Sequence, residues 1–363
     1  MGPSTRTIHA GVPAGEQGEP LLPGPTLAAP FHLRGEADAA PYGYGRDHNP
    51  TWTHLEQALG ELDGGESVVF ASGMAAVTAV LLTSLRSGDV LVACGDGYPG
   101  LRALAEEPLK GLGVETRLVP TTEIGGALDG ATLVFAETPS NPRLDLVDIA
   151  ALAEAAHDAG ARLVVDNTVA TPLGQQPLAL GADYAMLSGT KSLSGHSDLL
   201  LGNVSVRDPE LAAALREWRT QSGSIVGGFE AWLAHRSLGT LGLRLGRSSA
   251  NAAALARMLE GRDDVTELSH PRGELAERQM AFTGPLVSFA LRDAATAQRF
   301  LAACELVIEA TSFGGVHSTA ERRARWGADD VPEGFIRFSA GCEDTVDLVA
   351  DVTAALDAVT AVA

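Results

Sequence analysis

Residues 162–191 read RLVVDNTVATPLGQQPLALGADYAMLSGTK, and their layout decides the fold. Two short apolar runs, Arg162–Asp166 and Asp183–Ser188, suit strands buried on both faces, and each stops at polar side chains: Asp166 and Asn167 after the first, Ser188 to Lys191 after the second. The same unit recurs upstream as SVVFA from Ser67, VLVA from Val90 and TLVFA from Thr132, with stretches of helical spacing over Met74–Leu85 and Val147–His157. Strands alternating with helix-length segments predict an α/β fold, a mostly parallel sheet with helices on both faces. Ligands of such sheets sit beyond the carboxyl ends of the strands, so the residues that follow each run carry the functional expectation.

Away from this block the pattern changes. Residues 1–50, with PAGEQGEP and LLPGPT, hold no sustained period and read as an extended N-terminal arm that contacts a neighbouring subunit. Residues 51–235 form the large sheet domain, with a long helical region starting after Asp208 and running to about Gly261. Residues 236–363 make a smaller C-terminal α+β domain, with strands in PLVSFAL, LVIEA and GFIRFSA and helices over 294–303 and 346–359.

The chain's 46 acidic against 26 basic residues give a formal net charge of -20, which repels nucleic-acid backbones and anionic lipid headgroups. Three scattered cysteines without a CxxC pair fit a reducing compartment, and the opening MGPSTRTIHAG lacks the apolar core of a signal peptide, so a cytoplasmic location is expected. No apolar stretch approaches the roughly 20 residues that span a bilayer. The nine histidines show no metal-ligand spacing, and no metal site is expected. There is no P-loop, GxSxG elbow, HExxH or helix-opening GxGxxG.

Lys191 follows an apolar strand in LSGTKSLSGHSD. A lysine alone is most often a solvated charge; at a buried strand end near other cations its pKa falls, and the neutral amine can form a Schiff base with an aldehyde, which arginine cannot do. Asp166 ends RLVVD, where it is either a helix N-cap or the partner of a cation such as a protonated pyridine nitrogen. In ASGMAAV, the backbone N–H groups of Gly73 and Met74 open a helix and form an anion seat, to which the hydroxyls of Ser188 and Thr190 could add, although such a glycine turn also serves close packing alone. Tyr98, in DGYPG, stands where its ring could cover a flat cofactor and its hydroxyl reach the reacting atoms, although most tyrosines in turns do neither. Tyr44 and Arg46, in YGYGRDHNPT, bring a guanidinium fork suited to phosphate, although a surface arginine reads the same way. Arg337 lies inside the apolar strand GFIRFSA, which calls for a carboxylate, from a substrate or from a structural salt bridge.

In order, YGRDHNPT, ASGMAA, ETPSNP, VVDNT, SGTKSLSGHSD and GFIRFSAGCED resemble the Cys/Met-metabolism family of fold-type I enzymes that depend on pyridoxal 5'-phosphate (PLP), over about residues 40–358. The resemblance implies that Lys191 holds PLP as a Schiff base and is catalytic with Tyr98. It further implies that Asp166 meets the pyridine nitrogen, Tyr98 stacks on the ring, and Gly73, Met74, Ser188 and Thr190 hold the phosphate. Tyr44 and Arg46 would reach the phosphate of the adjacent subunit in a homotetramer built as a dimer of dimers. Asn141, Ser312 and Arg337 would bind the substrate carboxylate.

The chain departs from the family at Pro99-Gly100-Leu101, where Gly-Gly-Thr is usual, and Arg102 comes one position early. Thr311-Ser312-Phe313-Gly314-Gly315 replaces Glu-Ser-Leu-Gly-Gly, His317 takes the next acidic position, and Glu321–Pro332 is short and Arg-rich. These changes lie where substrate side chains would sit, so they are expected to alter specificity rather than cofactor chemistry. The motif set predicts a carbon-sulfur lyase resembling cystathionine γ-lyase, which releases a 2-oxo acid, ammonia and a thiol. A γ-synthase or O-acyl-homoserine sulfhydrylase type of replacement is the alternative. A non-catalytic PLP-binding protein would have no need to keep Lys191, Asp166, Tyr98 and Arg337 together.

Overall fold

The computed structural model describes residues 1–360, which build two sheets. The larger contains β1 (Glu66–Phe70), β2 (Val90–Cys94), β3 (Glu115–Val119), β4 (Leu133–Glu137), β5 (Arg162–Asp166), β6 (Tyr184–Leu187) and β7 (Gly202–Val206). Their order is β1-β7-β6-β5-β4-β2-β3; β7 runs antiparallel to both its neighbours, and every other pairing is parallel. Side chains alternate across a strand, so a run that is apolar throughout needs cover on both faces. Leu91, Leu133, Phe135 and Val164 pack under helices Gly73–Ser84 and Pro209–Ser222. Val92, Val134, Ala136, Leu163 and Val165 pack under helix Ile149–Asp158 on the other face.

Two strands of this sheet carry no apolar run. β3 is an edge strand whose Glu115 and Arg117 face solvent. β7 is fully buried yet polar: Ser205 Oγ donates to Asp63 Oδ2 at 2.6 Å, and Asn203 packs beside Ser67. Hydrogen bonding rather than apolar burial suits β7 to its place, and hydropathy does not register that.

The second sheet orders β10 (Ile308–Glu309), β11 (Thr319–Arg322), β12 (Phe335–Ser339), β9 (Leu286–Ala290) and β8 (Glu267–Ser269), antiparallel except between β10 and β11. Val287, Phe289, Ile336 and Phe338 form its core with helices Ala294–Ala303 and Thr345–Thr360. The expected LVIEA strand shrinks to Ile308–Glu309, while the charged TAER stretch forms β11.

The long helical region is three helices, Pro209–Ser222, Gly228–Leu238 and Leu241–Glu260. The last joins the two sheets: Leu241 and Leu245 pack with Trp52 and Leu55, and Leu255 and Leu259 pack with Phe289. The N-terminal arm is mostly irregular, but its first residues depart from the expected extended form. Pro3–His9 is a helix, Ala10 is buried in the core, and Arg6 Nη2 donates to the carbonyls of Glu61 and Leu62. Gly11, at φ +64°, allows this docking, because a Cβ there would sit 2.5 Å from the His54 carbonyl oxygen.

Candidate active site

The carboxyl ends of β4, β5 and β6 converge on one cavity of about 340 Å³. Its wall holds Gly73, Met74, Tyr98, Asn141, Asp166, Ser188, Thr190, Lys191, Ser312 and Arg337, residues drawn from both sheets and far apart in sequence. Tyr44 and Arg46 lie elsewhere: Arg46 Nη1 donates to the Thr220 carbonyl at 2.8 Å, and its guanidinium stands 5.5 Å from the Tyr44 ring.

At one end of the cavity, Ser72 caps helix Gly73–Ser84, its Oγ accepting from Ala75 N at 3.1 Å. The first-turn N–H groups of Gly73 and Met74 have no partner within the helix. A Cβ on Gly73 would come 2.7 Å from Ser188 Cβ, so only glycine lets this helix start meet the Ser188 hydroxyl so closely. At the other end, Asp166 accepts from Thr168 N at 2.9 Å and Thr168 Oγ1 at 2.5 Å, while Ser188 N donates to Thr168 Oγ1 at 2.9 Å. Asp166 is therefore no helix N-cap; the short helix Thr171–Gly174 that follows is preceded by Ala170. Burial raises the Asp166 pKa, against the hydrogen bonds from Thr168 and the charge of Lys191.

Between these ends, Lys191 Nζ donates to Ser312 Oγ at 2.8 Å and stands 5.5 Å from the Phe313 ring centre. Desolvation, reinforced by the positive charge of Arg337, lowers its pKa to about 8. The Tyr98 ring lies near Met74: a Cβ on Gly100 would come 2.6 Å from that ring and 2.7 Å from Met74 Sδ. An anion seat, an amine of lowered pKa, a carboxylate and an aromatic ring around one cavity fit a phosphorylated aromatic aldehyde with a ring nitrogen.

Comparison with known proteins agrees with this geometry. The sequence model of the family described as Cys/Met metabolism PLP-dependent enzyme matches residues 4–357. The chain belongs to that family. It is 52% identical over 372 residues to a Streptomyces coelicolor protein, covering 99% of this chain and 94% of that one. It is 38% identical to the cystathionine gamma-lyase of Bacillus subtilis, covering 87% of this chain and 89% of that one. The crystal structure of metB from Corynebacterium glutamicum superposes with a TM-score of 0.94 at 34% identity, covering 99% of this chain and 98% of that one.

Beside the cofactor end of this Cys/Met-metabolism fold lies a second polar cluster, centred on Arg337 of β12. Arg337 Nη1 donates to Asn141 Oδ1 at 2.6 Å; Nη2 donates to the Ser312 carbonyl at 3.1 Å and to Glu321 Oε1 at 2.5 Å. Strand register makes the last contact, because Glu321 of β11 pairs directly with Arg337. Ser312 is held at φ +79°, a left-handed conformation that costs a non-glycine residue about 1 kcal/mol or more, while Arg337 grips its carbonyl and Lys191 its hydroxyl.

Within the Arg-rich segment, Glu321, Arg323 and the Asp329 carboxylate form a buried ion network. Arg323 donates to Glu321 Oε1 at 2.9 Å and to Asp329 Oδ2 at 2.9 and 2.5 Å, and it also lines the cavity. Arg102 donates to the Ala328 carbonyl at 2.5 Å and to Asp329 Oδ1 at 3.1 Å, which turns it away from the cavity wall. Thr311 lines the cavity and His317 does not. Glu137, Arg323, Thr168 and Phe313 are cavity residues that the sequence left without a role. Glu137 stands at a strand end, which is a readable signal; Arg323 becomes a wall residue only through the pairing of β11 with β12.

Proposed function

We propose that this Cys/Met-metabolism enzyme is a carbon-sulfur lyase of cystathionine γ-lyase type, cleaving a sulfur amino acid to a 2-oxo acid, ammonia and a thiol. The observation that carries the proposal is the desolvated Lys191 amine, 2.8 Å from Ser312 Oγ and flanked by Asp166 and the buried Arg337. Gly73, Met74, Ser188 and Thr190 would hold the phosphate of PLP, and Asp166 would meet its ring nitrogen. Bound there, the cofactor supplies an electron-poor ring that withdraws charge from the substrate's Cα. Arg337, Asn141 and Ser312 fix the substrate carboxylate. Lys191 Nζ takes the proton from Cα, hands it on within the bound adduct and, neutral again, takes one from Cβ, a double duty suited to an amine whose pKa lies near neutrality. Tyr98 Oη gives a proton to the departing sulfur.

Tyr44 and Arg46 serve the phosphate of a neighbouring subunit, in a homotetramer whose active sites are shared within dimers. Their surface position in one chain supports that reading. The three free cysteines support a cytoplasmic location, and among the described residues no helix is long and apolar enough to cross a membrane. The test is incubation with cystathionine, methionine, cysteine and O-succinylhomoserine, with and without added thiol. A 2-oxo acid from cystathionine without thiol is expected; a thioether formed only when thiol is added would assign γ-replacement instead. Lys191→Ala should abolish turnover and leave no borohydride-fixed cofactor on the protein.

A further inference from the structure

Glu137 and Asp166 end neighbouring parallel strands in direct register, so their side chains leave the sheet on the same face, with backbones about 4.8 Å apart. Two carboxylates at that spacing, one of them 6% exposed, do not both stay ionised. The surroundings decide which one keeps a proton. Asp166 accepts two hydrogen bonds from Thr168 and has the Lys191 amine as its countercharge. Glu137 Oε2 accepts one, from Tyr98 N at 2.6 Å. The groups facing Glu137 include Asp166 on β5, Asp96 and Cys94 at the end of β2, Tyr98, and the cation Arg337 on β12. That cation is already engaged by Asn141, Ser312 and Glu321. Asp96 has donors of its own, Thr121 N at 2.9 Å and Thr121 Oγ1 at 2.6 Å.

We infer that Glu137 is a positioning residue that works as a neutral carboxylic acid, holding the Gly97–Tyr98 backbone in place and leaving Asp166 as the charged member of the pair. The carboxyl packs tightly against that backbone: a Cβ on Gly97 would come 2.7 Å from Glu137 Oε2. Burial first, and the charge of Asp166 second, push the Glu137 pKa well above the usual carboxylate range, in the same direction as the geometric argument. The ring of Tyr98 would thus take its place over the cofactor through a carboxyl group hydrogen-bonded to the tyrosine's main chain. The inference rests on the reading of Asp166 as the group that faces the cofactor, and it holds for any substrate.

The test compares holoenzyme of the wild type, Glu137→Gln and Glu137→Ala. Glutamine keeps an acceptor for Tyr98 N and mimics a protonated carboxyl, so the visible absorbance of the bound cofactor should titrate at an unchanged midpoint. The infrared difference spectrum against wild type should show the loss of a protonated-carboxyl stretch. Glu137→Ala, which frees the Tyr98 backbone, should lower kcat about tenfold to a hundredfold, with recovery in Glu137→Gln. The inference is overturned if Glu137→Gln loses carboxylate bands instead or moves the cofactor midpoint by about one unit or more, the effect of removing a real charge one strand away. Full kcat in Glu137→Ala would overturn the positioning role. Should the alanine variant fail to fold, the two glutamine readouts still decide. Neither readout needs a particular substrate, so an error over which sulfur amino acid is cleaved would appear in the oxo-acid assay and not here.

Discussion

Residue-scale chemistry centres on how one lysine becomes a nucleophile near neutral pH. An ordinary lysine is almost wholly protonated there, but burial and the Arg337 charge bring Lys191 to about 8. The neutral amine is the reactive form, so its reaction with an aldehyde should accelerate as pH rises through about 8 rather than 10.5. Stopped-flow absorbance of cofactor-stripped protein mixed with PLP across this range measures the midpoint, and a value near 10.5 would show Lys191 to be solvated. Arg337→Gln should move that midpoint upward, because Arg337 is the second-largest cause of the shift. The lysine, its strand-end position and its polar neighbours were legible in LSGTKSLSGHSD; its contact with Ser312, 121 positions away, was not, since no local pattern links them.

At the scale of elements, the same burial acts on stability. Asp63 ends helix Pro50–Asp63 under β7; Ser205 Oγ donates to its Oδ2 at 2.6 Å, while Oδ1 is buried without a hydrogen-bond partner among the described residues. Burial raises its pKa from 3.8 to about 7. The folded state thus holds a proton that the unfolded chain has released between these values. The stabilisation is complete below pH 3.8 and is lost as pH rises through about 7. Asp63→Asn, neutral at every pH, should escape the loss and gain about 3 kcal/mol on wild type between pH 5 and pH 8. Urea midpoints of both proteins at the two pH values measure this; parallel curves would show Asp63 to be ionised in the fold. β7 itself escaped the sequence reading because GNVSV is polar, and Asn203 and Ser205 are buried through hydrogen bonds and not through hydrophobicity.

For the whole molecule, the question is what holds the second sheet against the first at the cavity. Asp329 receives Arg102 from helix Pro99–Leu104 beyond β2 and Arg323 from the segment after β11, with both of its oxygens used. Removing one partner from such a buried network leaves charges uncompensated, at a cost of about 3–5 kcal/mol. Asp329→Ala should therefore lower the thermal midpoint and also raise KM, because Arg323 and Arg337 share Glu321. A variant with wild-type stability and KM would mean that the network is solvated. Site sharing between subunits has its own test. When inactive Lys191→Ala and Arg46→Ala proteins are unfolded and refolded together, half of the dimers are hybrids with one intact site, so about a quarter of native activity should return. No recovery would place Arg46 in the service of its own chain.

The alternation of apolar runs with helical segments determined the parallel sheet by itself, since a strand covered on both faces has to be apolar throughout, and that cover comes from crossover helices. Strand ends likewise marked Gly73, Asp166 and Lys191, because parallel strands present their carboxyl ends together. Only tertiary structure decided the rest. The pairing of β11 with β12 turns an Arg-rich stretch into a buried network and sets Glu321 against Arg337. Register between β4 and β5 sets Glu137 against Asp166. The physical reason is the same in both cases: charge pairing acts through space at a few ångströms, whereas sequence periodicity records only which face of its own element a residue occupies.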